Sequence, residues 1–120
     1  MEKYKLGEME QKFADLIWEH EPITTRELIE LCAETFDWKR TTTYTMLKRL
    51  CDRGIFVNQK GIVSSLMTRD EFLAGQGEKF LEESFGGSLP RFLAAFTRRK
   101  KLSDKEIQEI QKLINEYKEG

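Results

Sequence analysis

The sequence predicts a mainly α-helical protein with one small β-hairpin, and three observations lead to this fold class. In residues 7–53, apolar side chains recur at the spacing of three short helices. In residues 55–67, two runs rich in β-branched residues flank a polar turn, which is typical of a hairpin. After Thr68 the spacing becomes helical again. Three short helices followed by a hairpin is the order of a winged helix-turn-helix domain, so we expect one such domain followed by a short helical domain.

The first two helices are predicted from apolar spacing and from residues that begin or end a helix. The first spans residues 7–20 and ends before Pro22, because proline cannot continue the hydrogen-bond ladder. Ile23 follows in a short extended segment. Thr24 and Glu27 then form the capping-box pattern that begins the second helix. The residues of this helix that we expect in the core are Leu28, Ile29, Leu31 and Cys32.

The third helix and the hairpin follow without a long loop. The helix is predicted over residues 40–53, and Gly54 is well placed to end it in a left-handed conformation. The hairpin strands are predicted within residues 55–57 and 62–67. Residues 58–61 are expected to form a four-residue polar turn between them.

The C-terminal part is predicted to contain three helices with apolar faces. Gly86-Gly87 is expected to interrupt them, Ser88 to begin a short helix, and Ser103 with Glu106 to form a second capping box. We expect residues 1–70 to form the winged helix domain and residues 71–120 a helical dimerisation domain. About 50 residues are few for an independent core, so a second copy is expected to cover the apolar faces. The predicted interface comprises Phe80, Leu81, Phe85, Leu89, Phe92, Leu93, Phe96, Ile107, Ile110 and Ile114.

The formal net charge of −1 conceals an uneven distribution of charge along the chain. Residues 1–37 carry ten acidic and four basic side chains, a balance of −6. Residues 38–60 carry six basic side chains and one acidic, a balance of +5, and residues 61–120 carry ten of each sign. A segregated basic segment indicates a polyanionic partner, although a merely solvated helix face is the alternative.

Other features of the composition exclude several classes of protein. No apolar run is long enough for a membrane helix, and the two cysteines are too few for a disulfide scaffold. With one histidine and no glycine-rich phosphate loop, the chain offers neither a metal site nor catalytic machinery. We therefore expect a cytoplasmic protein that is not an enzyme, requires no cofactor and does not insert into membranes.

The third helix is the predicted contact with double-stranded DNA. Its inward stripe comprises Thr43, Met46, Leu47 and Leu50. Short hydroxyl side chains suit base edges, and longer cations suit phosphates. The predicted DNA contacts are therefore Thr42 and Thr45 toward bases, Arg40, Lys48 and Arg49 toward phosphates, Thr41 on the same face, and Lys60 from the hairpin. Tyr44, at the edge of this face, is expected either to pack under the hairpin or to reach a phosphate.

Three stretches of the sequence resemble the penicillinase repressor (BlaI/MecI) family. The run from Trp38 to Leu50, followed by Arg53-Gly54, is similar to the recognition helix of that family. Residues 6–18 are similar to its first helix, and residues 85–107 to its dimerisation region. The resemblance implies a homodimeric winged-helix repressor that binds a palindromic operator. It also implies release from DNA when a membrane-bound sensor of antibiotic brings about proteolysis of the C-terminal domain.

The sequence departs from the family pattern at two places that bear on function. The family's scissile Asn-Phe pair corresponds to Ala95 and Phe96, so the phenylalanine matches and the asparagine does not. In the hairpin, Gly61 is followed by Ile62 in place of the family's arginine and aromatic residue, which leaves Lys60 as the cation there. Two alternatives therefore stay open: a winged helix that binds protein, and a ligand-responsive regulator without the protease switch.

Overall fold

The computed structural model describes residues 3–120, which form six helices and a three-stranded antiparallel sheet. The order of elements confirms the predicted fold class. Met1 and Glu2, with which the predicted first domain begins, lie outside the described residues. The elements are α1 (Glu8–His20), β1 (Ile23–Thr24), α2 (Thr25–Phe36), α3 (Arg40–Asp52), β2 (Phe56–Gln59), β3 (Ile62–Ser65), α4 (Arg69–Phe85), α5 (Leu89–Arg99) and α6 (Asp104–Glu119).

The described chain divides into two compact units, and the division falls within α4. The first runs through Glu78, and the second comprises residues 79–120. This division falls beyond the domain boundary predicted after residue 70. None of the helices within residues 3–120 is long and apolar enough to cross a bilayer.

The local signals for the ends of the first three helices are confirmed. At the start of α2, the Thr24 hydroxyl accepts a hydrogen bond from the Glu27 N–H at 3.1 Å. The Glu27 carboxylate in turn accepts from the Thr24 N–H at 3.4 Å, so the capping box is complete. After α3, Gly54 has a φ of 78°, the left-handed conformation that glycine adopts without strain.

The core of the first unit lies between the first three helices, the sheet and the beginning of α4. Its largest fully buried side chains include Phe13, Ile17, Leu28, Leu50, Phe56, Val63 and Phe72. Of the four α2 residues predicted in the core, Leu28 and Cys32 are buried, and Leu31 packs against the core from its edge. The prediction for Ile29 is wrong, because this half-buried side chain lines a surface cleft between α2 and α3.

The hairpin turn is shorter than predicted. Gln59 pairs with Ile62, so the turn consists of Lys60 and Gly61 alone, with φ values of 53° and 84°. Positive φ at both central residues is characteristic of the two-residue turn whose twist matches that of the strands. The Asn58 side chain accepts a hydrogen bond from the Gly61 N–H at 3.1 Å and stabilises this turn.

The short extended segment predicted at Ile23 forms a third strand of the sheet, and the local sequence does not reveal its partner. β1 pairs antiparallel with β3, through Ile23 with Val63 and Thr24 with Ile62. The strand order is therefore β1-β3-β2, with β3 in the centre. Since β1 leads directly into α2, this pairing places the hairpin turn beside the beginning of α2.

The beginning of α4 belongs to the packing of the first unit. The ring of Phe72 lies 5.6 Å from that of Tyr4 and 5.5 Å from that of Trp18. The Gln76 side chain donates a hydrogen bond to the Tyr4 carbonyl at 2.9 Å. A Cβ atom at Gly75 would collide with the Tyr4 ring, so the glycine allows the N-terminal segment to lie against α4.

The second unit contains short helices without a buried interior. Gly86 and Gly87 have φ values of 59° and 80° and end α4, which confirms the predicted break. Ser88 begins α5 by accepting from the Arg91 N–H, and Ser103 forms the predicted capping box with Glu106. None of residues 79–120 is buried. The rings of Phe80, Phe85, Phe92 and Phe96 contact one another at centroid distances of 5.5–5.9 Å.

Candidate nucleic-acid interface

α3 has one buried face and one exposed face, which agrees with the predicted stripe. The inward side chains are all less than a tenth exposed: Thr43, Met46, Leu47 and Leu50. The six α3 residues predicted to contact DNA are all exposed: Arg40, Thr41, Thr42, Thr45, Lys48 and Arg49. Because the core fixes the rotation of α3 about its axis, these six side chains face solvent together.

The hydroxyl of Thr45 is turned back toward the helix backbone. Its Oγ1 donates a hydrogen bond to the Thr41 carbonyl at 2.9 Å, which is a common use of threonine within helices. This bond uses the hydroxyl hydrogen of Thr45, and the hydroxyl oxygen can still accept a hydrogen bond. Thr45 can accept a hydrogen bond from a base amino group or bring its methyl group to a thymine methyl.

Two cations on the same face carry ion pairs of different kinds. Lys48 pairs with Asp52 at 3.0 Å, and both side chains are largely exposed. Arg49 lies 3.7 Å from the carboxylate of Glu10, which is only 14% exposed, and its guanidinium also contacts the Met46 sulfur at 3.6 Å. A contact with α1 therefore orients Arg49, whereas Lys48 is paired within its own helix.

Glu10 was not singled out by sequence reasoning as part of this surface. Besides Arg49, its carboxylate pairs with Arg53 at 3.5 Å, and Arg53 also donates a hydrogen bond to the Lys5 carbonyl at 2.8 Å. The side chain of Arg53 is 12% exposed. Glu10 thus joins the beginning of α1 to the end of α3. Sequence spacing gives no signal for this pairing, because the residues are about forty positions apart.

Tyr44 lies on the side of α3 that faces α2, where it is 38% exposed. The Arg40 guanidinium lies 5.6 Å from its ring centroid. Hydrogen bonding to Thr25 first, and to Arg40 second, lowers the pKa of Tyr44. Tyr44 therefore occupies an exposed position between α2 and α3, and its predicted contact with a phosphate stays a prediction.

A cleft of about 320 Å³ separates the beginnings of α2 and α3. It is lined by Thr25, Arg26, Ile29, Glu30, Arg40 and Tyr44. The hairpin turn adjoins it, since the Thr25 N–H donates to the Gly61 carbonyl at 2.9 Å. Lys60, the exposed cation predicted on the hairpin, therefore occupies the turn that contacts the first residue of α2.

Neither cysteine has the character of a reactive thiol. Cys32 is buried and Cys51 half-buried, and desolvation raises the pKa of both thiols. Within residues 3–120, no three His, Cys, Asp or Glu side chains are grouped so as to hold a metal ion.

A helix-turn-helix followed by a three-stranded sheet with a two-residue hairpin turn defines a winged-helix domain, and its third helix exposes hydroxyl groups and cations. The family described as penicillinase repressor matches residues 6–116 of the chain. The chain therefore belongs to the penicillinase repressor family, as its sequence resemblance predicts. It is a transcriptional repressor rather than an enzyme, and the family assignment implies that it binds DNA.

Similarity to individual proteins of this family extends over nearly the whole chain. The penicillinase repressor of Bacillus licheniformis is 25% identical over 118 residues, which cover 95% of this chain and 92% of that protein. The methicillin resistance regulatory protein MecI of Staphylococcus aureus is 22% identical over 116 residues, with 93% and 94% covered. The penicillinase repressor of Staphylococcus aureus is 22% identical over 106 residues, with 85% and 84% covered.

Proposed function

We propose that this protein acts in the cytoplasm as a homodimer that represses transcription by binding a palindromic operator. The observation that carries the proposal is the arrangement of α3, whose inward stripe is buried while its threonines and cations face solvent. An α-helix about 10–12 Å across fits a major groove about 12 Å wide. The exposed face of α3 would then meet the base edges.

In this proposal the predicted contact residues have two roles. Thr41, Thr42 and Thr45 face the bases, where hydroxyl and methyl groups distinguish one base pair from another. Arg40, Lys48, Arg49 and Lys60 neutralise phosphates, which supplies most of the affinity and makes it dependent on salt.

The second unit supports the dimer, since its apolar surface is exposed in the described residues 3–120. Exposed fractions are 49% for Phe80, 52% for Leu89, 49% for Ile107 and 47% for Ile114. Removing such side chains from water contributes about 25 cal/mol per Å² of apolar surface. All ten predicted interface residues lie on α4, α5 and α6, so a second copy of residues 71–120 is the occupant that we propose for this surface.

Release from DNA is proposed to follow proteolysis in the C-terminal domain, triggered through a membrane sensor. The candidate bond joins Ala95 and Phe96, which are exposed residues within α5. Cleavage there would require α5 to unwind locally, and it would separate α6 from the rest of the interface. During induction, sequencing should find a fragment that begins at Phe96. Loss of DNA binding with the chain intact would instead favour a ligand-responsive regulator.

A gel-shift titration with the DNA upstream of the protein's own gene tests the central proposal. We expect retardation at submicromolar dimer, which persists in the presence of excess unrelated duplex. An upstream fragment with the same composition but shuffled sequence serves as the control. Equal retardation of both fragments would contradict operator recognition.

A winged helix that binds protein is the rival function, favoured by the acidic residues 1–37 and by a hairpin turn with a single cation, Lys60. The same titration separates the two functions. Absence of retardation at micromolar dimer would favour the protein-binding module and contradict the operator proposal.

A further inference from the structure

We propose that the cleft between the beginnings of α2 and α3 binds a phosphate of the DNA backbone, with Tyr44 and Arg26 as its contacts beside Arg40. The inference rests on the proposed DNA-binding function and adds a second element, α2, to the DNA interface. Arg26 is not among the contacts predicted from the sequence, and for Tyr44 a phosphate contact is one of the two predicted placements.

Tyr44 is held in place at the edge of this cleft. Thr25 lines the cleft beside it, and the Arg40 guanidinium lies over its ring at a centroid distance of 5.6 Å. A guanidinium over an aromatic ring has a restricted orientation and keeps its N–H groups free for other acceptors. Contact with the Tyr44 ring therefore orients the Arg40 guanidinium, and both side chains line the cleft.

Arg26 supplies a second cation to the cleft from the first turn of α2. Its side chain is 90% exposed and pairs with Glu30 at 3.6 Å, and Glu30 is itself 64% exposed. Such an exposed pair within one helix contributes little, so a phosphate can replace the carboxylate as the partner of Arg26. Glu30 also lines the cleft, and its charge opposes an anion there, which limits the affinity for a free phosphate ion.

The position of the cleft relative to the exposed face of α3 indicates which part of DNA would reach it. At 100° per residue, Thr41 and Thr45 occupy the middle of this face. Arg40 and Tyr44 lie on the flank toward α2, and Arg49 lies on the opposite flank toward Glu10 of α1. When the middle of the face meets base edges, the two flanks meet the two sugar-phosphate backbones that border the groove.

The hairpin turn adds a cation, Lys60, near the flank of α3 that faces α2. The Gly61 carbonyl accepts from the Thr25 N–H at 2.9 Å, and Thr25 lines the cleft together with Tyr44. Lys60 precedes Gly61 in this turn. A backbone that follows the α2 flank would therefore meet cations from α2, α3 and the hairpin.

Fluorescence anisotropy with a labelled duplex of scrambled sequence tests the phosphate site. Phosphate contacts do not depend on base sequence, so this probe requires no knowledge of the operator. Affinity would be measured from about 50 to 200 mM salt for the wild type, Arg26→Ala, Arg26→Lys and Tyr44→Phe. Lys112→Ala is the matched control, because Lys112 also pairs with an exposed glutamate four residues along its helix.

Substitutions of Arg26 and of Tyr44 should affect the salt dependence of DNA binding differently. Arg26→Ala should make the slope of log affinity against log salt shallower by about 0.9 per bound subunit, and Arg26→Lys should restore it. Tyr44→Phe loses an uncharged donor, so affinity should fall about threefold to tenfold with the slope unchanged. Lys112→Ala should leave both quantities at the wild-type values.

Two results would overturn the inference, and they differ in what they imply for the proposed function. Wild-type slope and affinity in both Arg26→Ala and Tyr44→Phe would exclude the cleft as a phosphate site while leaving DNA binding intact. A wild-type protein that binds neither this duplex nor its own upstream DNA would overturn the inference and the proposed function together.

Discussion

In the proposed DNA interface, some side chains on α3 supply affinity and others supply sequence preference. The division could be predicted from the sequence because helical spacing alone separates the inward stripe from the outward face. The partners of the outward residues could not be predicted in the same way. Glu10 reaches Arg49 from α1, and Thr25 reaches Tyr44 from α2, so both contacts depend on how separate helices pack.

Two substitutions on α3 should separate affinity from preference. Arg49→Ala should weaken binding to every duplex, because a phosphate contact is lost. Thr45→Ala should change the ranking of operator variants, with discrimination at one base pair altered by about 1 kcal/mol. Competition gel shifts with single-base operator variants measure both effects. Unchanged affinity and ranking in both proteins would contradict the assignment of this face to DNA.

At the scale of helices and strands, the signals carried by neighbouring residues predicted the structure best. Capping boxes begin α2 and α6 at the predicted residues, Thr24 and Ser103. Gly54 follows α3 in the predicted left-handed conformation. The hairpin turn was predicted too long, because pairing between Gln59 and Ile62 depends on the conformation of Lys60 and Gly61. The pairing of β1 with β3 joins residues about forty positions apart, which local patterns do not record.

Two glycines within α4, Gly75 and Gly77, should respond differently to substitution by alanine. Gly75→Ala should lower the free energy of unfolding by about 1–3 kcal/mol, because its Cβ would collide with the Tyr4 ring. Gly77→Ala is the matched control in the same helix, since a Cβ there meets no atom within 4 Å. It should raise stability by about 0.5–1 kcal/mol through helix propensity. Urea unfolding measures both, and equal stabilisation by the two changes would contradict the close packing of Tyr4.

At the scale of the whole molecule, the proposal requires two chains. The first unit has a core of its own, whereas residues 79–120 have none that is buried within the chain. Apolar spacing predicted this difference, since it identified three helices with apolar faces and too few residues to cover them. What the sequence did not reveal is that Phe72, two residues into the predicted second domain, is fully buried in the core of the first unit.

Light scattering at micromolar concentration tests whether the protein is a dimer. The wild type should have the mass of two chains. Ile114→Asp should shift the equilibrium toward one chain, because it places a charge on an apolar face that we propose to be covered. Asn115→Asp introduces the same charge one residue further along α6, at an exposed polar position, and should remain dimeric. A wild-type mass of one chain would contradict the role proposed for the second unit.

Hydroxyl-radical footprinting of the DNA upstream of the protein's own gene tests the central claim most directly. A dimer that places two copies of α3 on one side of the duplex should protect two symmetric half-sites. Their centres should be about one helical turn of 10–10.5 base pairs apart, or a multiple of that distance. Protection of a single half-site, of unrelated sequences without symmetry, or of no sequence at all would contradict a dimeric operator-binding repressor.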